Sequence, residues 1–186
     1  MMKIHKMAVL LLLLTLTGCV AAVVAGAAGV MVYDKRSFRV LERDTRIFHN
    51  VRTAIVTDPL FRYSHISVTS FNRAVLLVGQ TSTDSLRVLA GRIAQKTPQV
   101  SRVYNQLTVE PSISLSVRAE DSWITSQVRS FMLTQKGLES GSIRVVTENK
   151  VVYLMGLVSH EQANLAADVA RRVSGVRRVI KVFQYS

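Results

Sequence analysis

Cys19 is the residue whose type and position most clearly indicate a chemical reaction. It is the only cysteine among 186 residues, so an intramolecular disulfide is excluded. It closes an uncharged apolar stretch that follows a basic start with Lys3 and Lys6. The small residues Thr17 and Gly18 come directly before it. This order of basic, apolar and small residues is typical of a secretory signal peptide with its cleavage site near Cys19.

The four residues Leu16-Thr17-Gly18-Cys19 resemble the bacterial lipobox. The resemblance implies that residues 1–18 are a lipoprotein signal peptide and that Cys19 carries the lipid. The alternative is an uncleaved transmembrane helix, because Met7 to Val32 carries no charge over 26 residues, enough to cross a bilayer. The many glycines and alanines of that stretch disfavour a retained helix. Basic residues on both flanks also give it no orientation under the positive-inside rule. We therefore predict lipidation at Cys19.

No other set of residues has the spacing of a catalytic or metal site. The histidines His49, His65 and His160 are isolated in the sequence, whereas a metal needs convergent ligands. Paired carboxylates, a Ser-His-Asp arrangement and a phosphate-binding glycine loop are all missing from the sequence. We therefore expect a protein that is not an enzyme, binds no metal or cofactor, and carries its histidines at the surface.

The composition is strongly basic, with a net charge of +12 and a pI near 10.6. The charge falls to +10 when Lys3 and Lys6 leave with the signal peptide. Such a charge often indicates nucleic-acid binding, but an exported chain leaves the compartment that holds the genome, so we expect no nucleic-acid partner. An anionic membrane surface attracts each nearby Lys or Arg by about 1 kcal/mol. The alternative is a charge that serves only solubility.

The chain from Asp44 onward repeats itself. Three stretches recur 77 residues later: 44–47 in 121–124, 66–68 in 143–145, and 72–79 in 149–156. One residue is then lost, so that Val100 and Val103 match Val176 and Val179 at a spacing of 76. A register of this length indicates a tandem duplication.

The duplication defines the predicted domain organisation. We place one small domain at residues 44–110 and a second at 117–186, joined by a short linker at 111–116. Residues 19–43 form the lipidated N-terminus and a linker. A domain of this size is marginal alone because it buries only about 60% of its unfolded surface. We therefore expect the two copies to pack together.

Each copy is predicted to have the order α-β-β-α-β. In the first copy a helix is indicated by apolar residues at four-residue spacing, capped by Asp44 or Thr45. Alternating apolar residues on both sides of 72–73 predict a β-hairpin. A second helix capped by Asp84 and a third strand follow. In the second copy the corresponding helices lie near 122–134 and 159–174, and the strands near 142–148, 150–158 and 177–185. Gly79 and Gly156 are predicted as turn residues between strand and helix.

This arrangement resembles the BON domain, and the lipobox followed by two copies resembles the dual-BON outer-membrane lipoproteins of Gram-negative bacteria. The stretches that carry the resemblance are 75–80, 103–105, 121–125, 128–130, 152–158 and 172–179. The resemblance implies an α+β fold in which each domain packs a three-stranded mixed sheet on two helices. It also implies a lipid-anchored protein on the periplasmic face of the outer membrane.

The resemblance further implies binding of an anionic phospholipid, of the phosphatidylglycerol or cardiolipin type, through the first helix of the second domain. It implies a role in outer-membrane integrity and enrichment at the division site. The alternative function is an envelope adaptor that binds protein partners without recognising lipid directly.

Trp123 is the most prominent candidate in that helix. Ile124, Val128, Phe131 and Met132 are predicted to face the core, and Trp123 lies about 100° from Ile124 on the flank of this stripe. An indole in that position suits the membrane interface. The alternative is a hydrophobic staple at the helix start. The candidate phospholipid contacts are Trp123, Ser126, Gln127, Arg129, Ser130 and Leu133.

A basic cluster at the end of the last helix has two interpretations. It contains Arg171, Arg172, Arg177, Arg178 and Lys181. These cations either complement the helix dipole or make a second electrostatic contact with lipid.

Overall fold

The computed structural model describes residues 36–186, which form one compact unit. Cys19, the predicted signal peptide and most of the predicted N-terminal linker therefore lie outside the described residues. None of the helices in the described part of the chain is long and apolar enough to cross a membrane.

Both copies have the predicted order of helices and strands. The first contains α1 (Phe38–Val56), β1 (His65–Phe71), β2 (Ala74–Thr81), α2 (Asp84–Lys96) and β3 (Arg102–Val109). The second contains α3 (Leu115–Thr134), β4 (Ile143–Glu148), β5 (Val151–Val158), α4 (His160–Arg171), β6 (Arg178–Lys181) and β7 (Gln184–Tyr185).

Each sheet is mixed and has its second strand at the centre. β2 pairs antiparallel with β1 and parallel with β3. In the second copy β5 pairs antiparallel with β4 and parallel with β6 and β7, which divide the last strand at residues 182–183. The predicted fold class, α+β with mixed sheets packed on helices, is confirmed.

The first helix of each copy begins earlier than predicted. α1 starts at Phe38 and α3 starts at Leu115, so Asp44 lies inside its helix and is not the N-cap. The sequence pattern missed these first turns because the first fully buried residues of the two helices are Asp44 and Asp121. Without a buried apolar residue, a turn leaves no hydrophobic period to detect.

Asp44 and Asp121 connect the helices to the hairpins. The carboxylate of Asp44 accepts hydrogen bonds from the backbone N–H of Asn72 (2.6 Å) and Arg73 (3.0 Å). Asp121 accepts the corresponding bonds from residues 149 and 150, at 2.7 and 2.8 Å. All four hairpin residues have positive φ, between 45° and 67°, as a two-residue type I′ turn requires. The predicted hairpins are confirmed, and each is fastened to its helix by one aspartate.

Gly79 and Gly156 occupy equivalent positions, but neither is a turn residue. Both lie inside the central strand of their sheet. Gly79 has a φ of +122°, and a Cβ there would lie 2.0 Å from the carbonyl oxygen of His65. At Gly156 the Cβ would lie 2.6 Å from the carbonyl oxygen of Ser142. The glycines are required by the close approach of the neighbouring strand, which a one-dimensional pattern does not reveal.

The second helix of each copy is capped by a hydroxyl. Thr83 accepts from the N–H of Leu86, and Ser159 accepts from that of Gln162. The predicted cap at Asp84 is therefore wrong by one residue, because Asp84 already belongs to the first turn of α2. Since β2 ends at 81 and β5 at 158, the residue lost in the second copy lies in this strand–helix connection.

The two sheets pack face to face, with the helices on the outer sides. Side chains alternate along β2: Val75 and Leu77 belong to the helix-facing core, whereas Leu76 and Val78 belong to a core shared with the second copy. β5 contributes Tyr153 and Met155 to that shared core. The central strands are thus covered on both faces, which explains their uninterrupted apolar sequences. The expectation that the copies pack together is confirmed.

Candidate membrane-binding site

α3 has one side buried in the second domain and one side open. Ile124, Val128 and Met132 are almost completely buried against β4, β5 and α4. These three core predictions are confirmed. Phe131 was also expected in the core, but its side chain is 46% exposed. It lies on the flank of the buried stripe toward α4, where only part of the ring is covered.

Trp123 lies on the open side of α3. Its side chain is 51% exposed, and within residues 36–186 its indole has no hydrogen-bond partner. The helix begins at Leu115 after the N-cap Ser114, whose hydroxyl accepts from Val117 N–H. Trp123 therefore lies in the third turn. The hydrophobic staple is excluded, because it joins the residue before the N-cap to the first turn.

The open side of α3 is a stripe of apolar and hydroxyl side chains, which we call the outer face. It contains Leu115, Ala119, Trp123, Ser126, Ser130 and Leu133, all of them exposed. Leu133 is 58% exposed. Leu115 and Ala119 were not among the predicted contacts. They precede the expected helix start, and only the true N-terminus brings them into line with Trp123 at four-residue spacing.

Two predicted contacts lie beside the outer face. Arg129 lies at the edge toward β4, where its Nη2 donates to the carbonyl oxygen of Val145 at 3.2 Å. Desolvation of the guanidinium lowers the pKa of Arg129 from its ordinary value. Gln127 is half-buried on the opposite flank, toward α4. The structure thus brings Trp123, Ser126, Ser130 and Leu133 together and places Arg129 and Gln127 on the two borders.

The equivalent face of α1 has a different chemistry. Arg46 stands in the position of Trp123 and forms a salt bridge of 2.8 Å with Glu42, which stands in the position of Ala119. Both side chains are exposed. Phe38 and Val56 occupy the two ends, as Leu115 and Leu133 do in α3. The duplication therefore supplies an internal comparison: the centre of this face is ionic in the first domain and apolar in the second.

The histidines have different environments. His49 and His160 are exposed, and the ring of His160 stacks on Tyr185 with a centroid distance of 3.9 Å. His65 is only partly exposed, and its Nε2 lies 3.8 Å from the carboxylate of Glu148. The expectation of a surface position therefore fails for His65, because the second domain covers that end of β1.

The family comparison agrees with the architecture. The BON domain matches residues 43–111 and again residues 120–186, which together make up most of the chain. The chain belongs to the BON-domain family, with two copies.

Individual relatives show which BON-domain proteins this chain is similar to. The outer membrane lipoprotein DolP of Haemophilus influenzae is 37% identical over 186 residues, 98% of this chain and 96% of the relative. The 21 kDa hemolysin of Actinobacillus pleuropneumoniae is 38% identical over 122 residues, covering 66% of this chain and 63% of that protein. The osmotically-inducible protein Y of Escherichia coli K12 is 29% identical and covers 73% and 69%. The resemblance to dual-BON lipoproteins is confirmed, and so is the predicted lipid-anchored location at the outer membrane.

Proposed function

We propose that the outer face of α3 binds anionic phospholipid, and that the lipid-anchored protein uses it to support outer-membrane integrity at the division site. The observation that carries this proposal is the substitution between the two copies. The second domain has replaced an exposed ion pair, Arg46–Glu42, by Trp123 and Ala119. The fold does not require Trp123, because the same position in the first domain holds an arginine.

The chemistry of the outer face suits the headgroup region of a bilayer. An indole that is half-exposed and unpaired among the described residues offers a large apolar surface and one donor, the combination that places Trp at membrane interfaces. Leu115 and Leu133 extend the apolar surface to both ends of the helix, which spans about 30 Å. The hydroxyls of Ser126 and Ser130 lie between them and can donate to phosphate oxygens. The face itself contains no carboxylate that would repel an anionic lipid.

Basic residues supply the long-range part of the interaction. Residues 117–186 contain ten Lys or Arg and six Asp or Glu. Attraction between this positive domain and an anionic surface acts over roughly 8–10 Å at physiological ionic strength and weakens as salt is added. Insertion of Trp123 removes apolar surface from water, a contribution that salt affects little.

Trp123→Glu tests the proposal directly. In a fragment of residues 36–186 we expect the variant to lose at least tenfold in affinity for phosphatidylglycerol vesicles while its melting temperature stays unchanged. The matched control is Thr53→Glu, which adds the same charge to the corresponding face of α1. It should bind like the unmodified fragment. The measurements are vesicle co-sedimentation and thermal unfolding.

Three outcomes would contradict the proposal. If the unmodified fragment binds neither anionic nor zwitterionic vesicles, the adaptor function is the better account. If Thr53→Glu weakens binding as much as Trp123→Glu, the contact is non-specific electrostatics. If Trp123→Glu unfolds easily but binds normally when folded, Trp123 is structural. In cells, the full-length Trp123→Glu protein should leave the division site.

A further inference from the structure

A groove lies beside the outer face of α3. It is formed by the C-terminal ends of α3 and α4, has a volume of about 280 Å³, and is lined by Phe131, Thr134, Gln135, Val169 and Arg172. Along α3, Trp123, residue 127 and Phe131 follow one another at four-residue spacing, with about 40° of rotation per step. The side of α3 that carries these three residues therefore connects the outer face to the groove.

Arg172 lies at the groove, and only its Nε and Nη2 donate hydrogen bonds within residues 36–186. Its Nε donates to the carbonyl oxygen of Asp168 at 3.2 Å, which complements the C-terminus of α4. Its Nη2 lies 3.4 Å from Oε1 of Gln135, across the groove. The carboxylate of Asp168 pairs instead with Arg171, at 2.5 Å. Over residues 36–186, therefore, no carboxylate neutralises Arg172, and its Nη1 hydrogens have no acceptor.

The duplication again shows which features are specific to the second domain. Phe131 and Gln135 correspond to Ala54 and Asp58 of the first domain, at the spacing of 77 residues. Where the first domain has a small side chain and a carboxylate, the second has an aromatic wall and a neutral amide. Both changes favour an occupant that is partly apolar and negatively charged.

We propose that this groove receives the glycerophosphate end of one anionic phospholipid molecule. The phosphodiester binds the free N–H groups of Arg172, and the glycerol and first carbons of the chains contact Phe131 and Val169. A guanidinium donates two parallel hydrogen bonds to a phosphate, which gives this subsite its geometry. The proposal rests on the proposed function of the outer face and deepens it: Trp123 inserts into the bilayer, and Arg172 holds one headgroup.

Arg172→Gln is the test, with Arg171→Gln as its matched control. Both remove one charge from the end of α4, but Arg171 is paired with Asp168. With phosphatidylglycerol vesicles and residues 36–186, we expect Arg172→Gln to weaken binding at least tenfold, because the charge-assisted hydrogen bonds to the phosphate are lost. Arg171→Gln should weaken it less than about twofold, as expected for loss of an exposed ion pair. Equal losses in the two variants would overturn the proposal.

A second measurement separates the groove from the membrane contact. Short-chain phosphatidylglycerol below its micelle concentration should shift the NMR resonances of Phe131, Val169 and the Arg172 side chain in a saturable manner. The shifts should persist in Trp123→Glu and disappear in Arg172→Gln. Absence of saturable shifts overturns the groove proposal while leaving the outer face intact. The same shifts with inorganic phosphate at equal concentration would overturn it too, as a general anion site. Failure of the unmodified fragment to bind vesicles would instead overturn the proposed function.

Discussion

Asp121 shows how much one side chain contributes to the second domain. It is buried within α3, and both of its oxygens accept hydrogen bonds from the hairpin between β4 and β5. The hairpin residues Asn149 and Lys150 have positive φ, which costs energy outside glycine. The carboxylate stabilises that turn and fixes the helix on the sheet, so Asp121 is a structural residue even though it lies two positions from Trp123.

We expect Asp121→Ala to lower the free energy of unfolding by about 3 kcal/mol or more, because two hydrogen bonds to a buried charged acceptor are lost. Urea unfolding of residues 36–186 measures the change. Asp168→Ala is the control, since Asp168 is exposed and its pair with Arg171 should contribute less than about 1 kcal/mol. Equal losses in the two variants would show that the hairpin does not depend on the carboxylate.

Among the elements, the central strand of each sheet explains why a glycine recurs at the same position in both copies, as Gly79 and Gly156. β2 carries core residues on both faces. In the pairing of β2 with β1, Gly79 lies directly against the backbone of His65 and Ile66. There is no space for a Cβ, and the positive φ adds a second restriction. The neighbouring strand thus selects glycine at this position.

Gly79→Ala should destabilise the protein by more than about 4 kcal/mol, because backbone atoms must move to relieve a 2.0 Å contact. The control is Gly137→Ala in the loop after α3. Gly137 also has a positive φ, +81°, but nothing lies within 4 Å of its Cβ position. Its cost should be only the conformational strain, about 1–2 kcal/mol. Similar melting temperatures for the two variants would exclude the close approach as the cause.

On the scale of the whole molecule, the interface between the domains contains a polar cluster inside an apolar contact. Glu148 at the end of β4 is buried and accepts a hydrogen bond of 2.8 Å from Nε2 of Gln80 on β2. Oε1 of Gln80 accepts from the N–H of Ile113 in the connection between the domains, at 3.3 Å. The cluster therefore links both domains and their connection. The position of Glu148 is occupied by Phe71 in the first domain, and the position of Gln80 is occupied by Leu157 in the second. This link is therefore not duplicated.

Burial raises the pKa of Glu148, against opposing contributions from Gln80, His65 and Arg118; Asp121 adds to the increase. A raised pKa in the folded state means that folding favours the protonated carboxyl. Its stabilising contribution is complete below the ordinary value of 4.5 and is lost as the pH rises through the raised value. Glu148 thus makes the domain interface less stable toward neutral pH.

Glu148→Gln should remove this pH dependence, because the amide keeps an acceptor for Gln80 and carries no charge. The variant should melt at a higher temperature than the unmodified protein near pH 7.5, and the difference should shrink as the pH approaches 4.5. Thermal unfolding across that range measures it. The Nε2 of His65 lies 3.8 Å from the Glu148 carboxylate, so the series is repeated with His65→Gln to exclude a contribution from this neighbour. A difference that stays constant with pH would rule out Glu148 as the titrating group.

The duplication, the order of helices and strands, the hairpins and most core positions could all be predicted from the sequence. These features depend on periods of two and 3.6 residues and on local turn chemistry. The sequence also indicated Trp123, because the repeat shows that the equivalent position of the first copy holds Arg46 and not a tryptophan.

The remaining features depend on contacts between elements that are distant in the sequence. Asp44 and Asp121 resemble helix caps until the hairpin is folded against them. Gly79 resembles a turn residue until β1 lies beside it. The start of α3, and with it Leu115 and Ala119 on the outer face, depends on turns that touch no core and so leave no apolar pattern. The groove at Arg172 joins residues 37 positions apart, and Glu148 meets Gln80 across 68. Such contacts arise only when separate elements pack, and no local period encodes them.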